Sequence, residues 1–432
     1  MAQTLKFGNK VWAAKEESVL AYNDINNNYK PLPFSFSRAS IGTRVNKDGL
    51  IETMGQDIAR IDYTDSADGV LLLEPSSTNL ATYSEAFDNA YWTKSGSSVV
   101  SGFTSPDGTA NAFKLVEGTT NSDHSIYATF TSLPSGIYTI SAYVKKGERH
   151  KCALADRNSG IYVSFDLNNI TVIEQGGMIG NIELLSNGWF KLSATTSNAL
   201  TIIVPQIFIL EDSYTTGLPI FQTYTGDGTS GVEIFGAMLE QNSYATSYIP
   251  TSGSTVTRAV ETCNNSGNSE VFNDSEGVLF ANIAALANDQ TERQMSIDDG
   301  NGINRIVLRY NSVSNNINSY LFNGSVQGGE FNQSLSDITL FLKCAFKYKT
   351  NDFSFWVNGF KVGEDINGST FSDGTLTDLN FDFGGSFNFY GKTKELGYYD
   401  TALTDLELET LTSYRNWVSM VNELNLNIIY NG

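Results

Sequence analysis

Acidic side chains that could act as a catalytic pair recur near the end of the chain. Asp405, Glu407 and Glu409 alternate there, and a glycosidase needs two carboxylates about 5 to 10 Å apart. On a strand the three would line one face. Thr404 and Glu407, however, have the spacing of a capping box, and the leucines that follow recur at helical spacing. We therefore interpret the acidic residues as charges at a helix N-terminus, which the helix dipole favours.

The sequence contains two histidines, His124 and His150. Neither lies beside a Gly-x-Ser-x-Gly nucleophile elbow, and a zinc ion would lack further ligands of the usual spacing. We expect both to be exposed turn residues. The sequence therefore favours a protein that is not an enzyme.

Two acidic loops could bind calcium. Asp298, Asp299 and Asn301 lie in one Gly-containing segment, and Asp227 lies in another. Calcium prefers such oxygen ligands, but Asp, Asn and Gly also form ordinary turns. We expect turns without a cofactor and keep calcium as the alternative.

Aromatic side chains on polar strand faces are the best candidates for sugar binding, because pyranose C–H faces pack on flat rings. In Phe353–Val357, alternation places Ser354 and Trp356 on the side opposite the other hydrophobic residues. Asn388 and Tyr390 alternate with two phenylalanines in the same way. We predict that these four residues form a glycan platform.

A second group of candidate aromatics lies earlier in the chain. Tyr143 shares a strand face with Thr139 and Ser141, and Tyr91 and Trp92 follow an acidic turn. These rings are predicted to contact a glycan. The alternative is that loops or subunit contacts cover them.

Composition indicates how such residues are positioned. Of 432 residues, 17% are charged, 12% are aromatic and 38 are glycine, which is typical of an all-β protein with many turns. Strand segments alternate between apolar and polar residues, as in Tyr138–Val144. Asn358-Gly359 between two such segments predicts a two-residue hairpin turn.

Charge and cysteine content limit the partners. The formal net charge is -20, which repels nucleic acid and anionic lipid surfaces. We expect no nucleic-acid binding and no membrane insertion, and no secretory signal is visible at the start. Cys152, Cys263 and Cys344 are far apart and odd in number, so we expect free thiols.

Patterning along the chain predicts four segments. Residues 1–75 read as a lead-in or docking segment, 76–258 as a first sandwich, 259–276 as a polar linker, and 277–432 as a second sandwich that ends in a helix. The predicted fold class is all-β, with two consecutive antiparallel β-sandwich domains of the jelly-roll type.

Two segments resemble a known protein class. Phe36-Ser-Arg-Ala-Ser40 with its continuation to Glu52, and Gly236–Gly253 with its Tyr-Ile-Pro-Thr-Ser-Gly ending, are similar to the lead-in and closing strand of phage tail and fibre proteins. In those proteins the segments bracket a carbohydrate-binding-module-like sandwich. The Phe355–Gly363 hairpin and Glu395–Asp405 resemble the end of concanavalin A-like, laminin-G-type jelly rolls.

These resemblances imply a virion protein, assembled in the host cytoplasm, that binds a host cell-surface glycan and contacts other virion subunits. They also imply a homo-oligomer, with a trimer usual for phage fibres. Two alternatives remain open. The sandwiches could be spacers that mediate oligomerisation, or the chain could be a polysaccharide-degrading enzyme or its accessory module.

Overall fold

The computed structural model describes residues 3–25, 28–185, 187–219, 222–324, 327–424 and 426. Strands dominate it, and two short helices lie near the C-terminus. All strand pairs between the named strands of this described part are antiparallel, for example β-pairs joining residues 5–8 to 395–398 and 139–145 to 189–195. The all-β prediction is confirmed.

The first ten strands precede residue 75. They are β1 (Leu5–Gly8), β2 (Ala14–Lys15), β3 (Ser18–Val19), β4 (Tyr22–Ile25), β5 (Asn28–Pro31), β6 (Phe34–Ser37), β7 (Gly42–Val45), β8 (Ile51–Met54), β9 (Arg60–Asp62) and β10 (Val70–Leu73).

In the described residues from 77 to 258, sixteen strands follow. They are β11 (Ser77–Asn79), β12 (Thr93–Ser95), β13 (Ser97–Phe103), β14 (Ala112–Glu117), β15 (Asn121–Ser122), β16 (His124–Tyr127), β17 (Thr139–Lys146), β18 (Lys151–Asp156), β19 (Ile161–Asp166), β20 (Thr171–Gly176), β21 (Met178–Leu184), β22 (Trp189–Thr196), β23 (Pro205–Leu210), β24 (Tyr224–Thr225), β25 (Gly231–Glu240) and β26 (Val256–Arg258).

The described residues after 260 add eleven strands and the helices. They are β27 (Thr262–Asn264), β28 (Glu276–Ala285), β29 (Arg293–Asp298), β30 (Asn304–Tyr310), β31 (Asn316–Asn323), β32 (Gln327–Ser334), β33 (Leu342–Lys349), β34 (Phe353–Val357), β35 (Phe360–Asp365), β36 (Asp378–Asn380), β37 (Gly391–Tyr399), α1 (Asp405–Thr412) and α2 (Trp417–Glu423).

The chain divides into two compact units, and neither is a single continuous segment. Unit 1 contains residues 1–39, 55–75 and 260–432, and unit 2 contains residues 40–54 and 76–259. The chain therefore passes from one unit to the other after residues 39, 54, 75 and 259.

Unit 1 is a sandwich of two large sheets. One has the order β35-β34-β33-β28-β37-β1-β4-β5, with β10 also on β37 and β9 on β10, and the other has the order β32-β31-β30-β29-β36. A small sheet, β2-β3-β6-β27, belongs to the same unit. Alternate residues of β28, such as Leu279 and Ala281, point into the core that the sheets enclose.

Unit 2 is a second sandwich, formed by the sheets β12-β16-β23-β18-β19-β20 and β13-β14-β25-β17-β22-β21. The inward faces meet in a core that contains Tyr138, Ile140, Ala142 and Val144, as their alternation predicts. The pairs β7-β8, β11-β26 and β15-β24 complete the unit.

Two of the four predicted segments, the lead-in and the linker, are not separate from unit 1. The lead-in is not separate, because β1 and β10 both pair with β37 near the other end of the chain. The linker prediction fails because β27 pairs with β6 and because Val271 and Phe272 are buried in the core of unit 1. Both predictions were based on the polarity of short stretches of sequence. Pairing between strands that are far apart in sequence leaves no signal in such a stretch.

Arg38 joins a cluster of buried charged side chains in unit 1. Arg38 Nη1 donates to Glu261 Oε1 at 2.7 Å, and Arg60 bonds both Glu261 and, at 2.7 Å, Glu74. All four side chains are almost fully buried. Burial acts to lower the pKa of Arg60, but the charges of Glu261 and Glu74 outweigh it and raise that pKa. The buried charges are therefore paired, as burial requires.

The C-terminal helix prediction is confirmed, and the structure contains a second helix. Thr404 accepts a hydrogen bond from Glu407 N and Glu407 accepts from Thr404 N, which is the capping box expected for α1. Ser413 ends α1 with extended backbone, and Asn416 caps a separate α2.

Candidate functional site

The predicted glycan platform does not form around Trp356. Its side chain is 5% exposed and packs with Phe280, Tyr399 and Leu408 of α1. Trp356 Nε1 donates to the buried Ser354 Oγ at 3.3 Å. Alternation correctly separated this face from the main core, but α1 covers it.

Asn388 and Tyr390 lie far from Trp356. They bond each other, with Asn388 Nδ2 donating to Tyr390 Oη at 2.9 Å, and both are half-buried. Through the pairings of β34 with β33, β33 with β28 and β28 with β37, Trp356 is level with Gly397. Tyr390 directly precedes Gly391, which begins the other end of β37. The two rings are thus separated by about 20 Å along the strands alone, so the four-residue platform was a wrong prediction.

The predicted aromatics of unit 2 are also covered. Tyr143 is 5% exposed, and its ring centre lies 5.9 Å from that of Tyr248 and 6.2 Å from that of Phe235. The closing segment that contains Tyr248 packs over the outer face of β17. Both faces of this strand are therefore buried.

Tyr91 and Trp92 pack against each other, with ring centres 5.2 Å apart. Trp92 is buried and its Nε1 donates to Tyr83 O at 2.8 Å. Tyr91 is half-buried, and burial raises the pKa of its hydroxyl to about 12. Trp92 belongs to the core of unit 2, and Tyr91 packs against that core.

The first proposed calcium loop is bonded internally. Asp298 accepts from Ser296 Oγ at 2.6 Å and from Asn380 Nδ2 at 3.1 Å. Asp299 accepts from Asn301 N at 3.0 Å and from Asn304 Nδ2 at 2.8 Å. These bonds lower the pKa of Asp299 although burial acts to raise it. The carboxylates hold the turn together.

Asp227 has the same role in unit 2. It accepts from Thr229 N and Ser230 N, both at 2.7 Å, and the bonds with Ser230 are the main reason that its pKa is lowered. Its own N–H donates to the buried Glu117, which also binds Arg149 through two 2.8 Å bonds. Among the described residues, no group of three or more His, Cys, Asp or Glu side chains could hold a metal ion.

The predictions about the histidines and cysteines were partly right. His124 is fully buried in β16, with Nε2 3.0 Å from Tyr224 O, so its assignment to an exposed turn was wrong. His150 is partly exposed beside Asp212 at 2.9 Å. The three cysteines are free, as predicted, and the structure shows that all three are buried.

A pocket lies at the tip of the Asn358-Gly359 hairpin, two residues beyond Trp356. Its volume is about 410 Å³, within the range of about 300 to 1,000 Å³ that is usual for small-ligand sites. The hairpin pocket is lined by Gln333, Leu335, Val357, Asn358, Phe360, Lys361, Val362, Tyr414, Met420 and Leu424.

Phe360 provides the hairpin pocket with an exposed aromatic ring. Its side chain is 77% exposed, because the residue directly follows the turn and lies beyond the end of the core. Asn358 and Gly359 both have positive φ, 50° and 88°, as the predicted hairpin requires. The position of an aromatic residue directly after a tight hairpin turn could have identified Phe360 from the sequence. The alternation of side chains instead predicted Trp356 as the ring that binds a sugar.

Polar groups surround this ring. Asn358 Oδ1 accepts from Lys343 N at 2.9 Å, which orients the side-chain amide. Lys361 Nζ bonds Asp405 Oδ2 at 2.7 Å and Glu364 Oε2 at 2.8 Å, and these bonds raise its pKa. Burial raises the pKa of Tyr414 to about 12, so its hydroxyl stays protonated. The hairpin pocket therefore combines an exposed ring with amide and ammonium groups.

The acidic residues of α1 have structural partners. Asp405 pairs with Lys361, and Glu407 completes the capping box. The side chains considered for a glycosidase thus lie on a helix, as the capping signal predicts, and not on a strand.

No known protein-family model matches the sequence, and no curated protein matches it. Solved structures are similar over parts of the fold. The CBM40 domain of Ruminococcus gnavus IT-sialidase, bound to α2,3-sialyllactose, is 14% identical with a TM-score of 0.29, covering 35% of this chain and 94% of that one. Domains LG4-5 of the mouse laminin α1 chain are 11% identical with a TM-score of 0.24, covering 69% and 90%.

A third similar structure is Trypanosoma rangeli sialidase in complex with the inhibitor DANA. It is 9% identical with a TM-score of 0.28, covering 91% of this chain and 81% of that one. At these sequence identities and TM-scores, the ligands and activities of the similar structures cannot be assigned to this chain. The described part of the chain contains no helix that is long and apolar enough to cross a membrane.

Proposed function

We propose that this protein is a non-enzymatic glycan-binding structural subunit of a phage particle, and that the hairpin pocket receives the sugar. The observation that carries the proposal is the exposed Phe360 ring at a pocket of about 410 Å³. A sugar ring can lay its C–H face on Phe360 while the side-chain amide of Asn358 bonds its hydroxyls.

The partners of the acidic groups support a binding role over catalysis. An acid catalyst and its partner need carboxylates that face a cleft, whereas Asp405 and Glu407 are held by Lys361 and Thr404. The hairpin pocket itself is lined by amides, one lysine and one tyrosine as its polar residues.

The virion context is supported by the sequence resemblance of the segments around Arg38 and Tyr248. As a virion protein the chain would contact other virion subunits as well as a host cell-surface glycan. Mass spectrometry of purified particles tests this context. The chain should be present at a copy number that reflects a structural subunit, and its absence from particles would refute the virion assignment.

Binding at the hairpin pocket is tested with the full-length chain on a glycan array and then by calorimetry with the best oligosaccharide. Phe360→Ala should weaken binding about tenfold or more, because it removes the stacking surface. Phe387→Ala is the matched control, since that phenylalanine is 49% exposed and does not line the hairpin pocket. Equal affinities of the two variants would contradict the site. Depolymerisation of the bound glycan would contradict the non-enzymatic role.

A purely structural spacer is the second candidate, and the helices favour it. Leu406, Trp417 and Val418 are 73%, 66% and 55% exposed, and exposed apolar patches can mark interaction sites. Subunit contacts would cover them. A Trp417→Ser change that dissociates an oligomer, in a protein that binds no glycan, would favour the spacer function.

A further inference from the structure

Two tyrosines form a ring pair on the outermost hairpin of the ten-stranded sheet. Tyr22 lies on β4 and Tyr29 on β5, and their ring centres are 5.7 Å apart with planes tilted by 46°. Tyr29 is 64% exposed and Tyr22 is half-buried. Tyr29 therefore presents an exposed ring beside the partly exposed ring of Tyr22.

The register places two charged residues on the same face as the rings. Lys6 is paired with Tyr22, and Asp24 is paired with Tyr29. Leu5, beside Lys6, points into the core of unit 1. Because strand side chains alternate, Lys6, Tyr22, Asp24 and Tyr29 lie together on the outer face of the sheet.

Lys6 and Asp24 form an ion pair that leaves hydrogen-bonding capacity for a ligand. Nζ of Lys6 bonds Oδ2 of Asp24, and the side chains are 30% and 12% exposed. Burial acts to lower the pKa of Lys6, but the bond and charge of Asp24 raise it. An ammonium carries three donors and a carboxylate about four acceptor positions, so sugar hydroxyls can bind without breaking the pair.

We propose that Tyr22, Tyr29, Lys6 and Asp24 form a second carbohydrate platform, which binds the face of a neutral pyranose. The proposal rests on the proposed function for the class of ligand but uses a site separate from the hairpin pocket. A neutral sugar fits because the two local charges cancel, while the net charge of -20 repels polyanionic glycans.

The hairpin is a poor edge for pairing with a strand of another protein. Pro31, which is paired with Tyr22 on the outermost strand, has no N–H to donate to a further strand. Lys30, also on β5, adds an exposed charge, and both features discourage strand addition. The exposed rings are therefore better suited to a small ligand than to sheet extension.

The test uses the full-length chain on an array of neutral and acidic oligosaccharides, followed by calorimetry with the best neutral binder. Tyr22→Ala/Tyr29→Ala should weaken neutral-glycan binding about tenfold, and Asp24→Asn should weaken it less. Phe387→Ala should bind as the unchanged protein does. Thermal unfolding checks that each variant folds, and Tyr29→Ala alone replaces the double variant if that one does not.

Three results would overturn the platform. They are unchanged neutral-glycan affinity in the folded tyrosine variants, binding by acidic glycans alone, and a change in oligomer size with unchanged glycan affinity, which would assign the rings to a subunit contact. Loss of affinity in Phe360→Ala only would refute this platform and leave the hairpin pocket. Loss in the tyrosine variants only would refute the hairpin pocket and leave the platform.

Discussion

At the scale of single residues, buried arginines and glutamates give the Phe36–Ser40 segment a structural role through Arg38. Glu261 receives hydrogen bonds from Arg38, Arg60 and the backbone N–H of Glu74. One carboxylate thus connects three parts of unit 1 that are distant in sequence. Charged groups so deeply buried are tolerated only while all of them stay paired.

Glu261→Gln should destabilise unit 1 by about 3 to 5 kcal/mol, because two buried guanidinium groups lose their shared counter-charge. Urea unfolding measures the loss. Glu276→Gln is the control, since its pair with Lys349 is partly exposed and should contribute at most about 1 kcal/mol. Similar losses in the two variants would show that the buried cluster is not a special source of stability.

The aromatic residues show the limit of prediction at this scale. Alternation correctly placed Trp356 and Tyr143 on the faces opposite the main cores. It could not show that α1 and the Tyr248 segment cover those faces. Phe360 directly follows the Asn358-Gly359 turn, and the Phe360 and Tyr29 side chains are 77% and 64% exposed.

At the scale of elements, local signals predicted what local geometry controls. The Asn358-Gly359 turn and the Thr404 capping box form as expected. Both depend on a few adjacent residues whose backbone angles and hydrogen bonds are set locally.

Gly359→Ala should destabilise the hairpin by more than the strain of positive φ alone, which is about 1 to 2 kcal/mol. An added Cβ would lie 2.6 Å from Ser413 Oγ. Gly374→Ala is the matched control, since that glycine has a φ of 80° and open space around its Cβ position. Thermal unfolding compares the two, and an equal loss of stability would show that contact with Ser413 does not matter.

At the scale of the whole molecule, the two units are not consecutive. Unit 1 needs residues from both ends of the chain, since β37 pairs with β1 and β10 as well as with β28. The domain boundaries expected from composition therefore cut through a sheet.

A fragment of residues 277–432 should fail to fold cooperatively, because it lacks β1, β9 and β10 and exposes the edge of β37. Circular dichroism and thermal unfolding of the fragment and of the full chain measure this. A cooperative transition in the fragment at a temperature close to that of the full chain would contradict the interleaved architecture.

The sequence alone determined the all-β class, many strand segments, the hairpin turn, the helix cap and the free thiols, because composition, side-chain period and turn chemistry are local properties. Only the tertiary structure decided that β1 pairs with β37, that Arg38 meets Glu261, and which aromatic rings reach solvent. Alternation states which way a side chain points. What covers that side chain depends on segments elsewhere in the sequence, as with Leu408 over Trp356 and Tyr248 over Tyr143.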